Sequence, residues 1–225
     1  MYGFKELLTF VFIMQTQDTI TSAQNPKIKA LLQLQQKSAC RREQGLFVVE
    51  GRRELMHCLS KGYQADTLFI CTEILTAEQE YDKLLKALPS CKTIYVSANV
   101  YERIAYRGGT EGIVATIRMK QHGLDTLPAP SQGHAPLYVV LESVEKPGNL
   151  GAILRSADAA GVDAVIVCDP LTDLYNPNLI RSSLGGIFSV PTIACNSTEC
   201  IQYFKDKGIR ILTAQLQDSS LYYDT

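Results

Sequence analysis

The sequence is poor in the residues from which metal sites are built, and it lacks a long apolar run. It contains three histidines, His57, His122 and His134, and no neighbouring residues complete a zinc-ligand pattern around them. No stretch approaches the roughly 20 apolar residues of a membrane-spanning helix. A metal-dependent enzyme and a membrane protein are therefore both disfavoured, and we expect no bound metal.

The cysteines lack the spacing of a redox or zinc motif. There are seven, an odd number, and no two of them form a C-x-x-C pair. The apolar run within residues 1–13 is short, and no small-x-small cleavage site follows it. We therefore predict reduced thiols and a cytoplasmic location. Residues 1–18 are interpreted as an N-terminal extension, with translation starting at Met14.

The sequence also lacks the two common phosphate-binding loops. The stretch KPGNLGAILRSADAAG (146–161) carries Gly148 and Gly151 in the spacing G-x-x-G, and the next glycine, Gly161, lies beyond the helix that this stretch predicts. A dinucleotide fingerprint needs G-x-G-x-x-G, and a Walker loop needs G-K-S or G-K-T. A nucleotide-dependent oxidoreductase and a P-loop enzyme are therefore disfavoured.

Positive charge is concentrated in the N-terminal half. Between residues 27 and 61 there are eight lysines or arginines against three glutamates. Such a local excess is typical of a surface that contacts nucleic-acid phosphates, although most lysines and arginines are simply solvated. The candidate RNA contacts are Lys27, Arg41, Arg42, Arg52 and Arg53.

The periodicity predicts a small α/β domain over residues 19–120. A helix begins at Asn25-Pro26, where asparagine caps the helix and proline takes its first position. Strands are predicted at 46–51, 67–71, 93–97 and 112–118, with helices between them, one of them over about 76–88. Residues 121–136 contain three prolines and two glycines and are interpreted as a linker.

Residues 137–225 predict a second α/β unit, this one with a parallel sheet. The segments 137–144 and 163–169 are almost continuously apolar, as expected of strands covered on both faces, and a helix separates them. A further helix is predicted from residue 176, another is capped by Asn196 with Glu199 at its third position, and a last strand spans 209–214. Asn149 and Arg155 follow the first of these strands, where parallel sheets bind ligands.

Three segments resemble one family of enzymes. PGNLGAILRSADAAGVDAVIV (147–167) resembles the first signature of the SpoU/TrmH family of RNA ribose 2′-O-methyltransferases, which belong to the SPOUT class. NPKIKALLQLQQKSACRREQGLFVVEGRRE (25–54) is similar to the start of their substrate-binding domain, and NPNLIRSSLGGIFSVP (176–191) to a later segment. The resemblance implies a ribosomal-protein-like RNA-binding domain followed by a SPOUT-type parallel domain, which forms a trefoil knot in the family.

The resemblance also implies a reaction. Family members transfer a methyl group from S-adenosylmethionine to a ribose 2′-hydroxyl of structured RNA without a metal, as homodimers, and an N-terminal domain of this type favours ribosomal over transfer RNA. Their catalytic asparagine and arginine fall on Asn149 and Arg155. Taken alone, Asn149 could be only a helix cap and Arg155 could only pair with Asp158; the resemblance favours catalytic roles.

The sequence departs from the family pattern at its C-terminal end. The glycine-rich segment and the Ser/Asn segment that complete the knot are not found, and only Thr213, Ala214 and Gln215 match the family's binding site for the methyl donor. We therefore expect weak binding of S-adenosylmethionine by this polypeptide. Two interpretations remain: a truncated methyltransferase domain over 137–225, or a shortened relative that only binds RNA. Retention of Asn149 and Arg155 favours the first.

Overall fold

The computed structural model describes residues 18–75, 84–86, 88, 90–106, 111–127 and 135–214. These residues form a four-stranded mixed sheet followed by a three-stranded parallel sheet, with helices packed against both. The α/β class and the parallel character of the second sheet are as predicted. Among the described residues, no helix is long and apolar enough to cross a membrane.

The N-terminal sheet has the strand order β1-β4-β2-β3. Its strands are β1 (Leu46–Glu50), β2 (Ala65–Ile70), β3 (Lys92–Tyr95) and β4 (Ile113–Arg118), and its helices are α1 (Pro26–Gln36), α2 (Ser38–Gln44), α3 (Arg52–Ser60) and α4 (Ala98–Ile104). β4 is antiparallel to both β1 and β2, and β2 is parallel to β3. The predicted cap of α1 is confirmed, because the Asn25 side chain accepts a hydrogen bond of 2.9 Å from the Lys27 amide.

The C-terminal sheet has the order β5-β6-β7 and is entirely parallel. Its strands are β5 (Tyr138–Glu142), β6 (Ala164–Cys168) and β7 (Thr192–Cys195), and its helices are α5 (Pro147–Ala160), α6 (Pro177–Ser182), α7 (Gly186–Ser189) and α8 (Ser197–Asp206). Every residue of β6 is buried, as its apolar run predicted. The predicted cap of α8 is confirmed by a 2.8 Å hydrogen bond from the Glu199 amide to Asn196 Oδ1.

The two sheets share one hydrophobic core. Phe47 of β1 stacks on Tyr175 with ring centroids 4.4 Å apart, and Phe188 of α7 meets the ring of Tyr63 edge-on at 5.3 Å. This cluster continues through α5 and β6, so apolar side chains from both sheets contribute to it. Burial of such aromatic rings is the main source of stabilising free energy at a contact of this kind.

Three sequence expectations differ from the structure or fall outside it. The strand predicted at 209–214 is wrong: these residues pair with no described strand, and Ile211 and Leu212 are 42% and 61% exposed. An apolar run becomes a strand only where a neighbouring strand accepts its backbone hydrogen bonds. β7 was not anticipated, because its four residues are too short for a clear pattern. Most of the helix predicted over 76–88 lies outside the described residues.

Candidate active site

Asn149 lies in the first turn of α5, at the carboxyl end of β5. The N-cap of this helix is Lys146 and Pro147 takes the first helical position, so the interpretation of Asn149 as a cap is wrong. Its side chain is exposed, and the side-chain amide makes no hydrogen bond to any described residue. The amide is therefore available to a ligand.

Arg155 lies six residues further along α5, about 9 Å along the helix axis, and its side chain is also exposed. Its Nη1 donates a hydrogen bond to the carbonyl oxygen of Ser182 at the end of α6. No ion pair with Asp158 is found among the described residues, so the simple helix-surface pairing does not hold. A backbone carbonyl fixes the guanidinium without neutralising it, which leaves the charge and the remaining N–H groups for an anion.

Ser182 links the start of α5 to the Arg155 side chain. Its hydroxyl donates to the carbonyl oxygens of Pro147, at 3.3 Å, and Leu179, at 3.1 Å, while its own carbonyl accepts from Arg155. The start of α5 and the anchored guanidinium are thereby held against the same residue of α6. Sequence analysis did not identify Ser182; the resemblance of segment 176–191 to the family was the signal that could have pointed to it.

The two glycines of the G-x-x-G stretch have different surroundings. A Cβ added to Gly151 would lie 2.8 Å from both the carbonyl carbon and the Cβ of Ser182, whereas a Cβ on Gly148 would meet nothing within 4 Å. Gly151 is therefore required for the close packing of α5 on α6, and not for a phosphate. Gly148 leaves open space beside Asn149 at the mouth of the site.

The residues expected to hold the methyl donor are not assembled into a pocket by the described part of the chain. Thr213 and Ala214 are exposed and belong to no strand, and Gln215 lies outside the described residues. The described residues thus do not fit these positions to a bound cofactor.

The five candidate RNA contacts divide into two groups. Lys27, Arg42 and Arg53 are exposed, and Arg52 is half-buried with its Nε 4.0 Å from Glu111. For these four residues, contact with RNA remains a prediction.

The structure corrects the prediction that Arg41 contacts RNA. This arginine is only 2% exposed, and its Nε lies 2.6 Å from Oδ2 of Asp173 while its Nη1 donates to the Leu34 carbonyl at 2.6 Å. A guanidinium that is buried and bonded to the protein in this way cannot contact an RNA phosphate. It instead joins α2 to the loop after β6.

Comparisons with known proteins identify the family of the chain. Residues 136–225 match the model of the SpoU rRNA Methylase family, and residues 25–115 match the MRM3-like substrate binding domain. Over 210 residues the chain is 30% identical to an uncharacterized tRNA/rRNA methyltransferase of Synechocystis, covering 92% of this chain and 73% of that protein. The chain belongs to the SpoU rRNA methylase family.

Other SpoU relatives carry more specific names. The chain is 27% identical to RlmP, the 23S rRNA (guanosine(2553)-2′-O)-methyltransferase of Bacillus subtilis, over 91% of this chain and 76% of RlmP. It superposes with a TM-score of 0.72 and 26% identity on an AdoMet-bound rRNA methyltransferase of Sinorhizobium meliloti, over 84% of this chain and 68% of that one. The resemblance found in the sequence is therefore confirmed.

This SpoU chain also brings together three cysteines that are distant in sequence. Cys168 and Cys195 are register partners on β6 and β7 with their sulfurs 3.9 Å apart, and Cys200 of α8 completes a group whose sulfurs all lie within 4.8 Å. Burial, reinforced by the neighbouring Cys168 thiol, raises the pKa of Cys195 and of Cys200 to about 12. The protonated thiols pack as small apolar groups, and a soft cation would first have to displace their protons.

Proposed function

We propose that the protein transfers a methyl group from S-adenosylmethionine to a ribose 2′-hydroxyl of ribosomal RNA. The observation that carries this proposal is the exposed pair Asn149 and Arg155 on one helix, with the Arg155 guanidinium fixed by the Ser182 carbonyl. The names of the relatives support the reaction class, and the name of RlmP supports a ribosomal substrate.

The roles of the two side chains follow from their chemistry. When bound, the sulfonium donor supplies a methyl group that is already activated, so the protein has mainly to align the acceptor oxygen and to manage one proton. A guanidinium stays protonated throughout the working pH range, which excludes a simple general-base role for Arg155. Arg155 instead holds an RNA phosphate through paired N–H donors and stabilises the negative charge that develops on the ribose oxygen as its proton passes to solvent water.

Asn149 orients the ribose. Its amide offers both a donor and an acceptor, which suits a sugar carrying neighbouring hydroxyl groups. The six-residue spacing separates the two side chains by about 9 Å along the helix axis and by about 120° around it, so they contact different parts of the RNA.

A second candidate function is RNA binding without catalysis. It is favoured by the exposure of Thr213 and Ala214, which leaves the described residues without a pocket for the donor. The two functions differ in one measurement. Purified protein is incubated with methyl-labelled S-adenosylmethionine and ribosomal RNA from cells that lack the gene, and 2′-O-methylation is read as resistance of one phosphodiester bond to alkali. Label in ribose supports the enzyme; binding of RNA without any label supports the second function.

The assembly and the location are also proposals. A homodimer is supported by β5, which is an edge strand within the described part of the chain, and by Leu137 and Val140 beside and within it, which are 53% and 44% exposed. Light scattering during size-exclusion chromatography measures the mass directly. A reducing compartment such as the cytoplasm is supported by the seven cysteines, all of which carry free thiols.

A further inference from the structure

A cleft of about 760 Å³ opens between the N-terminal sheet and α6. Its walls include β1 and α3, the end of α1, the segment after α4, and α6 with Asn178 and Arg181. Arg181 immediately precedes Ser182, the residue that anchors Arg155. One residue of α6 thus lines the cleft, and the next one anchors the guanidinium proposed to handle the ribose.

Tyr106 stands in this cleft in an arrangement suited to stacking. The guanidinium carbon of Arg181 lies 3.9 Å from the centroid of the Tyr106 ring, so it covers one face of the ring. Tyr106 is nevertheless 61% exposed, which leaves the rest of the ring open to solvent. A ring that is held by a guanidinium on one face and is open elsewhere can stack on a further flat group.

Glu50 holds the pair in place. Its Oε2 accepts a 3.0 Å hydrogen bond from the Tyr106 amide and lies 3.5 Å from Arg181 Nη2, while the Glu50 side chain itself is only 12% exposed. One carboxylate thereby fixes an aromatic ring from the first half of the chain against a cation from the second. A surface that is pre-organised in this way loses little conformational entropy when a ligand stacks on it.

The charges of the cleft suit a single RNA base better than a stretch of RNA backbone. Among the described residues that line it, Arg53, Arg103 and Arg181 are matched by Glu50, Glu54 and Glu111. A balanced set of charges gives little attraction to a run of phosphates, which needs an excess of cations. The same set offers many donors and acceptors to the edges of a base, and unpaired RNA bases are recognised by stacking combined with such contacts.

We propose that Tyr106 and Arg181 form a stacking site for one unpaired RNA base next to the ribose that is methylated. This inference rests on the proposed function for its substrate, but the site can be tested by binding alone. The base stacks on the open part of the Tyr106 ring, its edge meets the polar side chains of the cleft, and its ribose then lies toward Arg155. Tyr106 is thus a substrate-binding residue and Glu50 a positioning residue.

The test measures binding of the full chain to a labelled single-stranded 12-nucleotide RNA of mixed sequence and to a 12-base-pair RNA duplex. Stacking on one aromatic ring contributes about 1–3 kcal/mol, so Tyr106→Ala should weaken single-strand binding about 5- to 150-fold. Tyr106→Phe keeps the ring and should stay within about 3-fold of the unchanged protein. Tyr106→Leu keeps the bulk but not the ring and should behave as Tyr106→Ala. Duplex binding should be the same for all four proteins, because paired bases cannot stack on the site.

A matched control is provided by Tyr203 of α8, which also has a cation over its ring, Lys207 Nζ at 5.8 Å, but lies outside the cleft. Tyr203→Ala should leave single-strand binding unchanged once folding is verified by circular dichroism. Equal weakening by Tyr106→Ala and Tyr203→Ala would overturn the stacking site. So would a Tyr106→Ala protein that binds the single strand normally.

The failure of this inference and that of the proposed function are distinguishable. If ribosomal RNA receives label while Tyr106→Ala leaves both RNA binding and KM unchanged, the enzyme stands and the stacking site is overturned. If no RNA receives label but single-strand binding depends on the Tyr106 ring, the stacking site stands and the methyltransferase is overturned. For an active enzyme we expect Tyr106→Ala to raise KM more than it lowers kcat.

Discussion

Replacing Arg41 by alanine should strongly destabilise the protein, whereas the same change at Arg42 should not. The two residues are adjacent in α2 and both belong to the basic stretch of the sequence. Arg42 is exposed, but Arg41 is buried between the two halves of the chain, with Asp173 as its partner. The pair of variants therefore separates a structural arginine from a surface one.

The magnitude follows from what Arg41→Ala leaves behind. The Asp173 side chain is 12% exposed and would lose a partner at 2.6 Å, and the Leu34 carbonyl would lose a donor at 2.6 Å. Removing one member of a buried ion pair typically costs about 3–5 kcal/mol, because the other charge stays buried without compensation. An exposed arginine distant from such contacts changes stability by about 0.5 kcal/mol or less.

Urea denaturation followed by circular dichroism measures the difference. We expect a much lower midpoint for Arg41→Ala and an almost unchanged one for Arg42→Ala. Combining Arg41→Met with Asp173→Leu removes both charges and should recover a large part of the loss. Equal midpoints for the two single variants would refute the assignment of Arg41 as a structural residue. Arg42→Ala should instead reduce the salt dependence of RNA binding by about one unit of slope if it contacts a phosphate.

Further variants test the site and the core. Gly151→Ala should lower the free energy of unfolding by about 1–2 kcal/mol, measured by thermal or urea denaturation, because overpacking against Ser182 exceeds the gain in helix propensity. Gly148→Ala, with open space around it, should be neutral or stabilising. Identical behaviour of the two variants would contradict the packing argument. Arg155→Lys should keep RNA binding and lose about 100-fold or more in turnover, because a lysine cannot form paired hydrogen bonds to a phosphate; a fully active lysine enzyme in the methylation assay would exclude that role. Burial raises the pKa of the Cys58 thiol from 9.0 to about 12. The folded chain thus retains a proton that the unfolded chain loses above pH 9, and the free energy of unfolding should fall between about pH 9 and 12 by up to about 1.4 kcal/mol per pH unit. Denaturation at several pH values should give a shallower decline for Cys58→Ala, and an unchanged decline would exclude this thiol as a cause.

The parts of the fold that depend on local chemistry could be predicted from the sequence. Caps such as Asn25 and Asn196 act on amides two or three residues away, so a short segment contains all the information needed. The fully apolar run of β6 likewise needs no distant partner to indicate a buried strand. The family signatures then located Asn149 and Arg155 on the helix between two parallel strands.

The remainder depended on residues far away in the chain. Nothing near Arg41 distinguishes it from Arg42, because its partner Asp173 lies 132 positions further on. The role of Gly151 is set by Ser182, and the spacing of the glycines could not reveal whether a helix or a phosphate approaches it. The segment 209–214 has a strand-like composition, but a strand also requires a neighbour to pair with, which no local pattern can supply.

The aromatic contacts among Phe47, Tyr175, Tyr63 and Phe188 have a consequence for how the molecule can be altered. These rings come alternately from the two halves of the chain and pack in one continuous interior. The halves should consequently melt together in a single calorimetric peak. Neither can be exchanged for the corresponding half of another family member unless the complementary rings are transplanted with it.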